Sequence, residues 1–372
     1  MNEHYRAAAD RLDDDDAVER LAGLAALQRL GQSEPAQRPA IVEAWCEYLR
    51  RPFLDPEAEG LGERERADRR DELEVRHRIQ WLLREHVHSG PYRGEPASPQ
   101  YWGDELEVDL ARATLHTLDL SFRSIHPRAT FPGARFLGDT VFTGAGFGEY
   151  TSFFKAVFSG DSTSFRDSTF TGEGMSFDGA TFAGETSFEQ SSFSGAAWLS
   201  GAVFGGRTSF EQSSFSGDAW FTGAVFSGRT SFAGAVFHSD TLFEHATFNG
   251  DTSFRTTSLR GDDAWFEGVT FAGRTDFGEA FFGGMAWFEG AMFRGEARFD
   301  AATFGDDDNR FDDVVAPYGA SHVWPEGWTL VRESDVEGSA GGGRDVFWGR
   351  LTLLEDMAAE NGFDELAEDG PW

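Results

Sequence analysis

Between about Leu106 and Phe311, large apolar residues recur at intervals that suit neither a helix nor an ordinary strand. The series opens with Leu110, Leu115, Leu120 and Ile125, five residues apart. Phenylalanine then takes over at Phe131, Phe136, Phe142, Phe147, Phe153 and Phe158. From Phe182 to Phe254 the steps alternate between five and six, with Leu199 the one substitution in the run. Amphipathic helices repeat every 3.6 residues and strands every 2. A five-residue side of a square coil accounts for the pattern, with each large residue directed at the axis. Two residues earlier stands a small residue expected to point the same way, as at Ala180, Ala202, Ala224, Ala246, Thr186, Thr208 and Thr230. Steps of seven after Phe158, Phe170, Leu259 and Phe304 read as single-residue insertions at corners. Glycine follows every second phenylalanine by two, as at Gly184, Gly195, Gly206, Gly217 and Gly228. The backbone freedom of glycine at a tight corner is the expected reason.

Residues 1–100 follow another period. Leu21, Leu24, Ala25, Leu27 and Gln28 recur at helical spacing, and Asp13–Asp16 stand where carboxylates cap a helix start. Ile41, Val42, Trp45, Tyr48 and Leu49 make a second amphipathic helix, stopped by Pro52. A third, from about Arg64 to Val87, places Leu73, Ile79, Leu82 and Leu83 inward. The expected organisation is a HEAT-like helical domain over 1–100, a repeat over 106–311, and a C-terminal cap with an acidic tail over 312–372. Trp324, Trp328, Phe347, Trp348, Leu351 and Leu354 are the cap's apolar residues.

Composition sharpens this reading. Phe reaches 37 residues against 6 Tyr, which an ordinary mixed core would not show. Net charge is −32, divided as −8 over residues 1–130, −13 over 131–310 and −11 over 311–372. Bare nucleic acid and anionic membranes are therefore poor partners, and basic protein surfaces better ones. The single cysteine, Cys46, precludes a disulfide within the chain and fits a cytoplasmic location; a buried, inert thiol is expected. No apolar run is long enough to span a membrane, and the N-terminus lacks the pattern of a signal peptide.

The phenylalanine register, the Phe-x-Gly-x-x-x-Phe phrasing and the ending His322-Val323-Trp324-Pro325-x-Gly327-Trp328 resemble the pentapeptide-repeat family, in its Phe-rich bacterial subgroup with an N-terminal helical domain. The resemblance covers about 200 residues. It implies a mainly β fold: a right-handed quadrilateral β-helix whose coils each comprise four five-residue faces, beside a small all-α domain. Alternating fives and sixes would make each coil 22 residues, and about nine coils would form a rod on the order of 45 Å long.

Reading outward positions at that interval separates two columns. One runs Ser187, Ser209, Ser231, Ser253, Asp276 and Arg298. The opposite one runs Ser176, Trp198, Trp220, Leu242, Trp265 and Trp287. Thr181, Val203, Val225, Thr247, Thr270 and Met292 lie on the next side. A contiguous outward column of Trp and Leu is expected either to contact a partner or to cover its own sheet. Trp198, Trp220, Leu242, Trp265 and Trp287 are thus the candidate partner-binding residues.

No catalytic, cofactor-binding or metal-binding set stands out. His86 and His88 read as a surface pair. Asp262-Asp263 and Asp306-Asp307-Asp308 read as solvated turns without calcium-loop spacing. Gly144–Gly148 lacks the Lys-Ser/Thr ending of a phosphate loop, and Gly338–Gly343 reads as a linker. The expected function is a non-catalytic protein-interaction scaffold, binding a protein partner or a second copy of itself. The alternative, implied by the family resemblance, is a DNA mimic that binds or protects a type II topoisomerase such as DNA gyrase.

Overall fold

The computed structural model describes residues 3–87, 100–103, 105–125, 128–149, 151–306, 308–332 and 347–354. Four α-helices open the chain: α1 (Glu3–Asp10), α2 (Ala17–Ser33), α3 (Arg38–Arg50) and α4 (Glu63–Val87). Helix α1 is additional to the three read from the sequence; at eight residues it buries only Ala8, too little for a visible period. Asp16 caps α2, its carboxylate accepting the Val18 N–H at 2.9 Å, and Pro39 sits in the first turn of α3. Leu24, Leu27, Ile41, Val42, Trp45, Ile79 and Leu82 are fully buried between the helices, whereas Leu73 is only half-buried.

The rest is a right-handed quadrilateral β-helix of about nine coils. Its strands are two or three residues long and stack in parallel, in register, on four faces. On the first face Thr181–Phe182 pairs with Val203–Phe204, and that with Val225–Phe226. The second face stacks Thr208–Ser209 on Thr230–Ser231, the third Ser192–Phe193 on Ser214–Phe215, and the fourth Ala197–Trp198 on Ala219–Trp220. On faces one and three the strand itself holds the inward phenylalanine. On faces two and four the inward strand residue is a buried Thr or Ala, and the large residue follows it.

Those rings explain why one residue type dominates. Phe182 lies over Phe204 at 4.9 Å and 1°, and Phe204 over Phe226 at 4.8 Å and 3°. Between faces the contact turns edge-on, as for Phe204 and Phe210 at 82°. Each ring thus has near-parallel neighbours along the axis and perpendicular ones across it, and both arrangements favour its quadrupole. The axial rings from Phe131 to Phe293 are fully buried, or nearly so.

Two kinds of corner join the faces. After faces two and four the chain makes a β-turn, such as Leu199 carbonyl to Ala202 N–H at 3.1 Å, with its third residue left-handed. Gly201, Gly223 and Gly290 fill that slot, and so do Gln190, Gln212, His245 and Glu279, at φ near +56°. After faces one and three stand the glycines picked out by the sequence pattern. Their role differs from the one anticipated, because Gly184, Gly195, Gly206, Gly217 and Gly228 have no left-handed φ. They are required by proximity. A Cβ on Gly228 would meet the Gly206 carbonyl oxygen at 2.5 Å, and one on Gly206 the Gly184 carbonyl carbon at 2.5 Å. The insertions lie at these corners: Phe158 pairs with Phe182 rather than with a residue 22 further on.

The helices seal the first coil. Gln80 on α4 donates to the His116 carbonyl at 2.9 Å and accepts the His116 N–H at 2.8 Å, acting as a further strand would. One turn away on either side, Arg76 reaches the Thr114 carbonyl (3.4 Å) and Arg84 that of Asp119 (3.1 Å). At the far end, Val315–Pro317 extends face one and pairs antiparallel with Trp348–Leu353, which pairs antiparallel with Trp328–Arg332. Trp324 stacks on Phe299 and Trp328 packs on Phe311; Trp348 and Leu351 are buried, while Phe347 and Leu354 are exposed.

Candidate interaction surface

Strand pairing places Ser176, Trp198, Trp220, Leu242, Trp265 and Trp287 in one unbroken column on the fourth face. Trp198 and Trp220 are 38% and 40% exposed, unusual for tryptophan on a regular sheet. Leu242, Trp265 and Trp287 are half-buried. Part of the column covers its own framework. Trp198 lies against Gly174, where any Cβ would come within 2.4 Å of the indole, and Trp265 stacks on Trp287 at 4.7 Å and 4°. The Trp287 indole N–H donates to the Asp263 carboxylate at 2.8 Å. The adjoining first face continues the apolar surface through Val203, exposed, and Val225 and Met292, half-buried.

Acid borders the column on both sides. Glu173 precedes it on the coil of Ser176, and Asp218, Asp240 and Asp263 on those of Trp220, Leu242 and Trp265; Asp178 follows it on the coil of Ser176, and Glu244, Glu267 and Glu289 on those of Leu242, Trp265 and Trp287. Among the described residues, none of these carboxylates lies within ion-pair distance of an arginine or lysine. Partial burial pushes the Asp178 carboxyl upward, although it accepts the Ser200 N–H at 2.8 Å.

The second face is the reverse. Its outward column is Ser187, Ser209, Ser231 and Ser253, then Asp276 and Arg298. Its charges neutralise one another: Arg166 pairs with Glu189 at 2.6 Å, Arg274 with Glu296 at 3.8 Å, Arg298 with Asp300 at 2.8 Å, and Arg255 with Glu279. A shallow depression of about 140 Å³ lies here, lined by Ser162, Glu185, Ser187 and Arg207. Charge counted by chain segment conceals this division, because corner residues of opposite faces alternate along the sequence. Reading the corner positions at coil intervals would have exposed it.

Other candidates fall differently. His86 is fully buried, not a surface residue. It stacks on Trp102 at 4.5 Å and reaches Trp45 at 6.2 Å, those two indoles themselves lying 5.4 Å apart, and it accepts from Gln28 and faces the Gln100 carbonyl at 2.9 Å. The misreading came from treating the end of α4 as exposed, when α2 and Trp102 cover it. His88, Asp307 and Gly338–Gly343 lie outside the described residues. Asp308 donates its N–H to the Asp306 carboxylate, an ordinary turn contact. Phe147, within Gly144–Gly148, stacks on Phe170 at 4.7 Å as part of the axial column. Cys46 is buried, and burial pushes its thiol up to about 12. Among the described residues no cluster of His, Cys, Asp and Glu is arranged to hold a metal ion, and no helix is long and apolar enough to cross a membrane.

A family model described as pentapeptide repeats (9 copies) matches five overlapping stretches, residues 173–214, 188–236, 210–258, 232–280 and 257–303. No curated protein and no solved structure matches the chain.

Proposed function

Since the chain belongs to the pentapeptide-repeat family, we propose that it serves as a non-catalytic interaction scaffold, presenting the Trp198, Trp220, Leu242, Trp265 and Trp287 face to a protein partner. The observation that carries this reading is the exposure of Trp198 and Trp220 on neighbouring strands within an in-register sheet of six strands. Tryptophan is enriched at binding hot spots, and contiguous apolar columns on soluble proteins mark contact surfaces. The interior supports it too: an axis filled by phenylalanine leaves a convex rod, whereas catalytic sites are concave. The topoisomerase alternative has less support, because the acid of the fourth face is divided by an apolar tryptophan column and much of the acid of the second face is paired with arginine.

The test is affinity capture from the native host with the full chain and with a W220S/W265S variant, followed by quantitative mass spectrometry. Both side chains point away from the core, so the variant should fold. A protein retained by the wild type and lost from the variant supports the reading; identical captured sets refute it. Supercoiling by purified gyrase, with and without the protein, tests the alternative.

A further inference from the structure

We infer that the occupant of the fourth face is an extended basic segment of a partner protein, rich in arginine, lying along the rod axis over the tryptophan column. The inference rests on the interaction reading above and assigns the partner its chemistry. Three features lead to it.

The first is the placing of indoles beside carboxylates that have no ion pair, although Asp218, Asp240, Asp263 and Glu244 accept hydrogen bonds from Ser239, the Asp263 N–H, Trp287 and Thr222. Indole faces attract cations, arginine above all. Leu242 and Trp265 stand between acids on both sides, Asp240 and Glu244 for the first and Asp263 and Glu267 for the second; Trp220 follows Asp218 and Trp287 precedes Glu289, while the coil of Trp198 carries none. None of these acids has a cation of its own among the described residues. A guanidinium stacked on an indole would direct its N–H groups sideways toward those carboxylates.

The second is the contrast within the same coils. Face two pairs Asp167, Glu189, Asp276, Glu279, Glu296 and Asp300 with arginines and leaves Glu185, Glu211 and Asp251 without one, whereas the acids beside the tryptophan column have no ion pair at all among the described residues. Solubility alone would not distribute charge so unequally between two sides of one rod. The same acidity argues against a second copy as occupant, because two-fold pairing through this face would set like charges together.

The third is the dimension of the column. Trp198 to Trp287 spans four coil steps, about 19 Å at a strand spacing near 4.8 Å. An extended peptide covers that distance in about six residues. At the next position Arg310 pairs with Trp287 and ends the aromatic run with a cation.

The experiment uses the full chain and a fluorescein-labelled octapeptide of alternating arginine and glycine, read by fluorescence anisotropy at physiological salt. A second peptide carries citrulline, neutral and nearly isosteric, in place of arginine. Three variants are compared: W220S/W265S, which leaves charge unaltered; E244Q/E267Q/E289Q, on the fourth face; and E185Q/E189Q/E211Q, which removes the same charge from the second. The expected result is saturable binding of the arginine peptide, weaker by about tenfold or more in the first two variants and in the citrulline peptide, and unchanged in the third. Circular dichroism and melting of each variant establish that it is folded.

Equal weakening by the two glutamine variants, with full binding by W220S/W265S, would reduce the effect to net charge and overturn the inference. So would absence of binding by the wild type at millimolar peptide. Host capture that still depends on Trp220 and Trp265 would then leave the interaction reading standing and remove only its basic partner.

Discussion

Replacing Phe210 by alanine probes the axial column where it is most regular. The side chain is fully buried. Its ring lies between Phe188 (4.8 Å, 1°) and Phe232 (4.9 Å, 2°) and meets the edges of Phe204 and Phe221. Removing it loses the transfer energy of the ring, leaves a cavity that short, hydrogen-bonded strands cannot close, and severs both stacking contacts. Phe→Ala at buried sites costs about 3–5 kcal/mol, and the two stacked partners place this one toward the upper end. Phe304, half-buried near the last coil, stacks on Phe282 alone, so Phe304→Ala should cost roughly half as much. Phe281 points outward and is 41% exposed, so Phe281→Ala should cost less than about 1 kcal/mol. Guanidinium unfolding followed by far-ultraviolet dichroism ranks the three. Equal losses at Phe210 and Phe281 would refute the assignment of inward and outward positions, and equal losses at Phe210 and Phe304 would refute coil-by-coil summation.

Gly228→Ala should destabilise by about 2 kcal/mol or more, because its Cβ collides with Gly206 backbone, whereas Gly223→Asn, in open space at φ +66°, should cost about 1 kcal/mol or less; thermal melts of the pair separate close approach from backbone angle. Gln80→Leu should unseal the first coil, exposing the His116 N–H and carbonyl at a cost of about 2 kcal/mol, seen as faster hydrogen exchange confined to residues near 114–120. Burial holds His77, His86 and His116 below the usual histidine range. The unfolded chain therefore takes up protons first as pH falls. The stability these neutral rings confer is present above about pH 6.5 and declines below it. Hydrogen exchange between pH 7 and pH 5, corrected for intrinsic rates, should show α2 and α4 loosening while the central coils hold.

The sequence made the axial column legible because burial there is total and a single side chain serves at nearly every level. An error of one position would turn Phe182 outward and Thr181 inward, so the register left no freedom. The tryptophan column emerged by the same count. The seal on the first coil was hidden, since Arg76, Gln80 and Arg84 look like polar helix surface until strand edges are set against them. His86 was misread for a related reason: its cover comes from Gln28 and Trp102, distant in sequence. The glycine corners were located correctly but attributed to backbone angle, because contact with the coil beneath is a property of stacking, not of the local five residues.

A chain whose layers are nearly identical faces a hazard of its own, since a strand displaced by one whole layer would still find phenylalanine beneath phenylalanine. The extra residues break that degeneracy. Phe158 meets Phe182 after 24 residues and Phe248 meets Phe271 after 23, against 22 between Phe182, Phe204, Phe226 and Phe248. A misthreaded chain would carry surplus at a level built for none, bulging into a glycine corner that has no space for it. The irregular levels thus act as indexing marks, letting a monotonous sequence find one alignment.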